Sequence, residues 1–245
     1  MSGHSKWKNI MHKKGKTDAQ RAKIFTKVSK EIIMAVKEGG ADPSANSKLR
    51  DCIAKAKANN VPNDNIDRVI KKASGADNTA SYEENVYEGY GPGGVAVLVE
   101  TLTDNKNRTA SSIRHYFDKF GGNMGTSGSV SWMFEEKGVI IINKEDENGN
   151  EIDADSLMMK ALDSGAEDFS EEDEDTFEII TSPESFTDVC DNLEKEGYKF
   201  VSAQKEKVPS NYVSLDDENQ VKFMDLLLEH LEDDDDVQDV WTNLE

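Results

Sequence analysis

No apolar run in this 245-residue sequence is long enough to cross a bilayer. The longest, at 95–99 and 139–142, are strand-sized, whereas a spanning helix needs about 20 apolar residues. Cysteine is almost absent. Cys52 and Cys190 lie far apart and without metal-ligand spacing, which excludes a disulfide framework and leaves two thiols expected inside helices. The four histidines, His4, His12, His115 and His230, form no Cys/His cluster and no H-E-x-x-H pattern, so no metal is expected. No serine has an identifiable base and no acid/base pair stands out. The sequence is therefore read as a non-enzyme with no catalytic residue and no cofactor. A secretory signal's apolar core is missing from the start, which makes the reducing cytoplasm the expected location and rules a membrane out as partner. No long coiled-coil seam argues for a dimer, and a monomer is expected.

What the chain has in abundance is charge, unevenly divided. Residues 1–72 carry 17 Lys and Arg against 7 Asp and Glu, while residues 73–245 carry 12 against 42. A basic module joined to an acidic body is attracted to polyanions at one end and repelled at the other, so nucleic acid is the first partner to consider.

The basic end opens with Lys6, Trp7, Lys8, Lys13, Lys14 and Lys16, uninterrupted by any acid. Lysines of this kind bind phosphate, and a Trp among them either stacks on an unpaired base or anchors the tail to the body. A helix is predicted from Thr17 as N-cap to the Gly39-Gly40 stop. At 100° per residue, Phe25, Val28, Ile32, Ala35 and Val36 share its apolar face, and Lys23, Lys27, Lys30 and Lys37 share the opposite one. Glu31, Glu38 and Met34 interrupt that basic face, yet the lysines outnumber the acids, and it is read as tracking phosphates. Two shorter helices follow, 47–59 and one after Pro62 capped by Asn63.

Beyond Ser74-Gly75 the period shifts. Strands are expected at 86–90 and 95–102, a helix at 109–120, a Gly-rich loop at 121–128 and a strand at 130–134. Residues 89–94 match G-x-G-x-x-G, but they join two strands with no helix following, so nucleotide binding there is rejected. Lys106, Arg108 and Arg114 form the main cationic group of the acidic body, either as locally paired charges or as a second contact for a polyanion. The loop at 125–129 offers backbone donors and hydroxyls. From Gly138 the order is strand, helix, strand, strand, helix, strand, the ferredoxin-like arrangement, with the acidic run 171–175 as a solvated turn. A last helix, 215–232, and strand, 237–244, are expected to return and complete the earlier open sheet. Four aspartates at 233–236 oppose the dipole of that helix and are read as a repulsive surface.

The fold expected is α+β: a helical N-terminal domain followed by two α/β sandwich-type domains, one ferredoxin-like and inserted into the other. The predicted boundaries are 1–75, 76–136 with 208–245, and 137–207.

Five segments also resemble one family. They are the opening Met1-Ser-Gly-His-Ser-Lys-Trp, Arg21-Ala-Lys-Ile-Phe-Thr-Lys, Val61-Pro-Asn-Asp-Asn-Ile, Tyr87-Glu-Gly-Tyr-Gly-Pro-Gly-Gly-Val-Ala and Asp104-Asn-Lys-Asn-Arg-Thr-Ala. Together they resemble the YebC/PmpR family along the whole chain. The resemblance implies three domains about a cleft and no catalytic residues. It implies a cytoplasmic DNA-binding transcriptional regulator, or a translation factor associated with ribosomes.

The function expected is a non-enzymatic regulator of gene expression that contacts phosphate backbone through Lys6, Trp7, Lys8, Lys13, Lys14, Lys16, Lys23, Lys27, Lys30, Lys106, Arg108 and Arg114. DNA and ribosomal RNA both satisfy the charge pattern. Lysine dominance, with only Arg21, Arg50 and Arg68 in the basic module, points to backbone contact with little base readout. Ribosomal proteins are further candidate partners for the acidic domains.

Overall fold

The computed structural model describes residues 18–75 and 81–245. They contain seven α-helices, eight strands and two four-stranded sheets, and divide into two compact units. One unit is Trp132–Tyr212, and the other runs to Ser131 and resumes over Val213–Leu244.

The second of these units starts with three helices, α1 (Asp18–Gly39), α2 (Ser47–Ala58) and α3 (Asn63–Ala73). The apolar stripe Val28, Ile32, Ala35 and Val36 of α1 packs on Leu49, Cys52 and Ala56 of α2 and on Ile66 and Ala73 of α3. Asn46 ties the first corner. Its Oδ1 accepts from Leu49 N at 3.0 Å to cap α2, and its Nδ2 donates to the Ala35 and Gly40 carbonyls at 2.7 and 2.8 Å. Gly40, at φ 85, takes the left-handed turn that ends α1. The expected cap at Asn63 is not made, because Asn63 is already helical and Pro62 precedes it with no side-chain bond.

The same unit continues with β1 (Glu83–Tyr90), β2 (Ala96–Thr103), α4 (Lys106–Lys119) and β3 (Asn123–Met124). Its sheet is antiparallel in the order β3-β1-β2-β8, where β8 (Val237–Thr242) returns from the end of the chain after α7 (Glu218–Asp233). Val97 and Val99 of β2 meet Ile113 and Phe117 of α4 and Met224, Leu227 and Leu231 of α7 in one core. The helical module keeps a separate core that shares no residue with this one.

The other unit holds β4 (Phe134–Asn143), α5 (Ala154–Asp163), β5 (Ala166–Ser170), β6 (Thr176–Thr181), α6 (Phe186–Lys195) and β7 (Ser202–Pro209). Sheet order β5-β6-β4-β7, antiparallel throughout, is the ferredoxin-like arrangement expected. Alternate residues Ile140, Ile142, Phe177 and Ile179 face Leu157, Ala161, Val189 and Leu193 of the helices.

The expected strand 130–134 is not formed. Val130 and Met133 are the buried residues there, three apart, and Ser131–Met133 is a 3₁₀ turn that leaves Trp132 72 % exposed. Phe134 belongs instead to β4 of the second sheet. Helix α4 begins three residues before its expected start, because Asn105 Oδ1 caps it through Arg108 N at 3.1 Å. Burial pushes the thiols of both Cys52 and Cys190 up to about 12, so neither is a nucleophile at neutral pH.

Candidate nucleic-acid interface

The lysine row of α1 exists as the periodicity requires; Lys37 is exposed, but the stretch from Lys23 to Lys30 does not face open solvent. It lies against the end of α7 and the acidic turn that follows. Lys23 Nζ stands 3.0 Å from Asp233 Oδ1, and Lys27 Nζ donates to the Glu232 carbonyl at 2.6 Å. Lys30 Nζ donates to Asp236 Oδ1 at 2.7 Å and to the Asp235 carbonyl at 2.8 Å. Two of the four aspartates read as a repulsive surface, Asp233 and Asp236, are in fact the counter-charge of this row. Unsatisfied carbonyls at the negative end of α7 add to them. Desolvation lowers the pKa of half-buried Lys27, against the opposing pull of Asp239, Glu232, Asp234 and Asp235.

Asp236 is the centre of the arrangement. Its Oδ2 accepts from Arg108 Nη2 at 2.6 Å, Thr109 Oγ1 at 2.8 Å and Thr103 Oγ1 at 3.1 Å, while Oδ1 takes Lys30. Two basic groups predicted separately, one on α1 and one at the start of α4, thus meet on a single carboxylate. Burial alone would raise that carboxyl, but the hydrogen bonds from Arg108, Lys30 and Thr109 bring it down to about 2. Arg108 also reaches Asp104 at 2.9 Å and keeps half of its side chain exposed.

Lys106 and Arg114 are exposed, and among the described residues neither has an ion-pair partner. Lys6, Trp7, Lys8, Lys13, Lys14 and Lys16 lie outside the described residues.

Helix α2 carries cations that the sequence reading passed over. Lys48 and Lys55, seven residues apart and so on one flank, turn to the sheet module, where Lys48 meets Glu84 at 2.9 Å and Lys55 meets Asp239 at 3.4 Å. Burial by itself would lower Lys55, but Asp239 and Glu31 hold it above its ordinary value. Arg50 and Lys57, also seven apart, occupy the other flank. They edge a shallow groove of about 510 Å³ floored by Ile53, Ile66 and Ile70, with Asp67 also on its lining. Lys57, Arg68, Lys71 and Lys72 are exposed and, among the described residues, have no ion-pair partner. The spacing of the two pairs on α2 was the available signal.

The Gly-rich loop turns several of its amide donors inward to Glu88. The Glu88 carboxylate accepts from Gly128 N, Val130 N and Ser131 N at 2.7–2.8 Å, and the Glu88 carbonyl accepts from Gly125 N at 2.8 Å. Desolvation opposes ionisation of Glu88, but those three amide bonds hold its pKa below the ordinary value. The glycines at 91 and 93 serve packing. A Cβ on Gly91 would lie 2.6 Å from Met224 Sδ, and one on Gly93 would lie 2.2 Å from Leu215 Cδ2. The turn they form leads directly into β2, with no helix to receive a phosphate. Among the described residues no group of three or more His, Cys, Asp or Glu is placed to hold a metal ion, and no helix is long and apolar enough to cross a membrane.

The chain matches two family models along nearly its whole length. Residues 5–76 match the TACO1/YebC protein N-terminal domain, and residues 82–244 match the TACO1/YebC second and third domain. A protein of Acetivibrio thermocellus named "Probable transcriptional regulatory protein" is 61% identical over 243 residues, which span 99% of this chain and 98% of the relative. One of Clostridium beijerinckii with the same name is 58% identical over 245 residues, or 100% and 97% of the two chains. The crystal structure of a conserved hypothetical protein, Aq1575, from Aquifex aeolicus superposes with a TM-score of 0.83 at 45% identity, covering 98% of this chain and 97% of that one.

Proposed function

The chain belongs to the TACO1/YebC family, and from that premise we propose that it is a non-enzymatic regulator of gene expression that grips the phosphate backbone of nucleic acid through its lysine-rich helical domain. The observation that carries this reading is the meeting of Lys30 and Arg108 on one anionic acceptor, with two threonine hydroxyls completing the donor set. Ammonium, guanidinium and hydroxyl donors around one oxyanion are the chemistry that phosphate recognition uses. Lys23 and Lys27 extend the set along α1, Lys106 and Arg114 extend it along α4, and the tail of Lys6, Trp7, Lys8, Lys13, Lys14 and Lys16 adds further charge. The names of the relatives support transcription as the process controlled. The acidic body keeps the remaining surface off the polyanion and so orients the contact.

Structured RNA, including ribosomal RNA, is the second reading. It is favoured by the scarcity of Arg in the helical domain, which leaves the major groove of a duplex without the guanidinium forks that read guanine.

The test is fluorescence anisotropy of the whole protein with a 30-base-pair duplex DNA and with an RNA hairpin, across a range of salt. Binding is expected to weaken with log salt by about 0.9 log unit per phosphate contacted on duplex DNA. The double reversal Lys106→Glu with Arg114→Glu is expected to lower affinity without touching an internal ion pair. Absence of binding to both probes at low salt overturns the proposal. Cosedimentation of the protein with ribosomal particles from lysate, lost on nuclease treatment, selects the RNA reading.

A further inference from the structure

The row Lys23, Lys27 and Lys30 is matched, residue by residue, to an anionic strip in the same chain. Reading from the end of α7, the strip presents the Asp233 carboxylate, the Glu232 carbonyl, the Asp235 carbonyl and the Asp236 carboxylate. A nucleic-acid backbone also offers a line of anionic oxygens to such a row. We infer that the 232–236 segment is an internal stand-in for a phosphate backbone. It occupies the lysine face of α1, and nucleic acid must displace it to bind there. The inference rests on the nucleic-acid reading above and adds its regulation.

Three features say which side moves. The acidic turn is fixed to the sheet module: Leu102 N donates to the Asp236 carbonyl at 2.8 Å, Asp236 N donates to Asp234 Oδ1 at 2.9 Å, and Val237 is fully buried. The apolar cores of the helical and sheet modules share no residue. Several of the contacts that join the modules are ion pairs, Lys23–Asp233, Lys30–Asp236, Lys48–Glu84 and Lys55–Asp239. Opening this polar seam separates modules whose apolar cores are built from different residues, and the lysines leave with α1. Phosphates arriving at the lysines replace the carboxylates at Lys23 and Lys30 and the carbonyl at Lys27, so each ammonium keeps an acceptor.

The double substitution Asp233→Asn with Asp235→Asn removes two exposed charges of the strip and spares Asp234, which bonds Tyr116, and the buried Asp236. Its control is Glu171→Gln with Glu172→Gln, which removes the same charge from an exposed turn of the ferredoxin-like unit. In anisotropy titrations with the duplex and hairpin probes, the strip variant is expected to bind about fivefold more tightly than the control, as loss of the exposed Lys23–Asp233 ion pair and of the neighbouring Asp235 charge implies. A second readout is zero-length carbodiimide cross-linking of the wild-type protein, scored by mass spectrometry for the Lys23–Asp233 bond. Its yield is expected to fall as the probe saturates. Equal affinities of strip variant and control, with a cross-link yield indifferent to bound probe, overturn the inference and leave nucleic-acid binding intact. Failure of every form to bind either probe overturns the functional reading itself.

Discussion

The ammonium of Lys30 and the carboxylate of Asp236 meet at 2.7 Å with side chains only 12% and 8% exposed, joining residues 206 positions apart. The pair is a well-buried link between the helical module and the sheet, and the ion pairs Lys23–Asp233, Lys48–Glu84 and Lys55–Asp239 of that seam are considerably more solvated. Solvated pairs each contribute about 0–1 kcal/mol. A buried charge that loses its partner costs far more.

Asp236→Ala is therefore expected to destabilise the protein by about 3–5 kcal/mol, because it strands the buried Lys30 ammonium and removes an acceptor from Arg108, Thr103 and Thr109. Asp236→Asn keeps an acceptor for the hydroxyls and should cost less. The check is the midpoint of urea unfolding followed by circular dichroism. A midpoint for Asp236→Ala equal to that of the wild type counts against the hub.

Acid should act through the same carboxyl. Its folded pKa, about 2, lies below the ordinary 3.8. Folding is thus favoured by ionisation, and this contribution is present in full above pH ~5 and lost as the pH falls through ~2. The difference corresponds to roughly 2 kcal/mol. Between pH 6 and pH 3 the wild type is expected to lose more stability than Asp236→Asn does, and parallel losses in the two proteins contradict the assignment.

Glu178 has the opposite sign. Burial in β6, with Glu206, Asp168, Asp173 and Glu172 around it, pushes its carboxyl up to about 7 from 4.5. Its contribution is present in full below the unfolded value and is lost as pH rises through the folded one, so ionisation costs stability at pH 8. Glu178→Gln should stabilise the protein at pH 8 by up to roughly 3 kcal/mol and change little at pH 5. Urea midpoints at the two pH values measure this, and a stabilisation independent of pH argues for some other cause.

Glu88→Gln should loosen the 125–131 loop while leaving the sheet in place. Bonds from backbone amides to a charged acceptor contribute about 1.5–3 kcal/mol each. Hydrogen exchange at Gly128, Val130 and Ser131 is therefore expected to quicken at least about tenfold in the variant. Unchanged protection at those amides, measured by mass spectrometry, removes Glu88 as the anchor.

Much of this architecture is local and therefore legible. The stripe Val28, Ile32, Ala35 and Val36 announces α1, and β5 and β6 follow one another in the predicted order because their turn and alternation are adjacent in the chain. Misreadings arose where local pattern and burial diverge. The stretch 130–134 looks like a strand, yet it buries Val130 and Met133 in a tight turn. Strand β3, two residues long inside a Gly-rich loop, leaves no periodicity to find. The cationic residues of the interface were legible as a row, but their counter-charge was not. Nothing near Lys23 or Lys30 in the chain points to Asp233 or Asp236, since that pairing is made only when β8 returns to the edge of β2.

The late return of β8 also orders events during synthesis. Strand β2, with Val97 and Val99 destined for the core, emerges with one edge open, and its partner arrives only after the whole ferredoxin-like unit has been made. At ~5–20 residues per second that edge waits on the order of ten seconds. A nascent chain cut short within α7 keeps a folded insert beside an unsealed, valine-rich strand, the kind of edge on which chains pair with one another. For this protein, termination within α7 is therefore a route to aggregation more than to a shortened, working product.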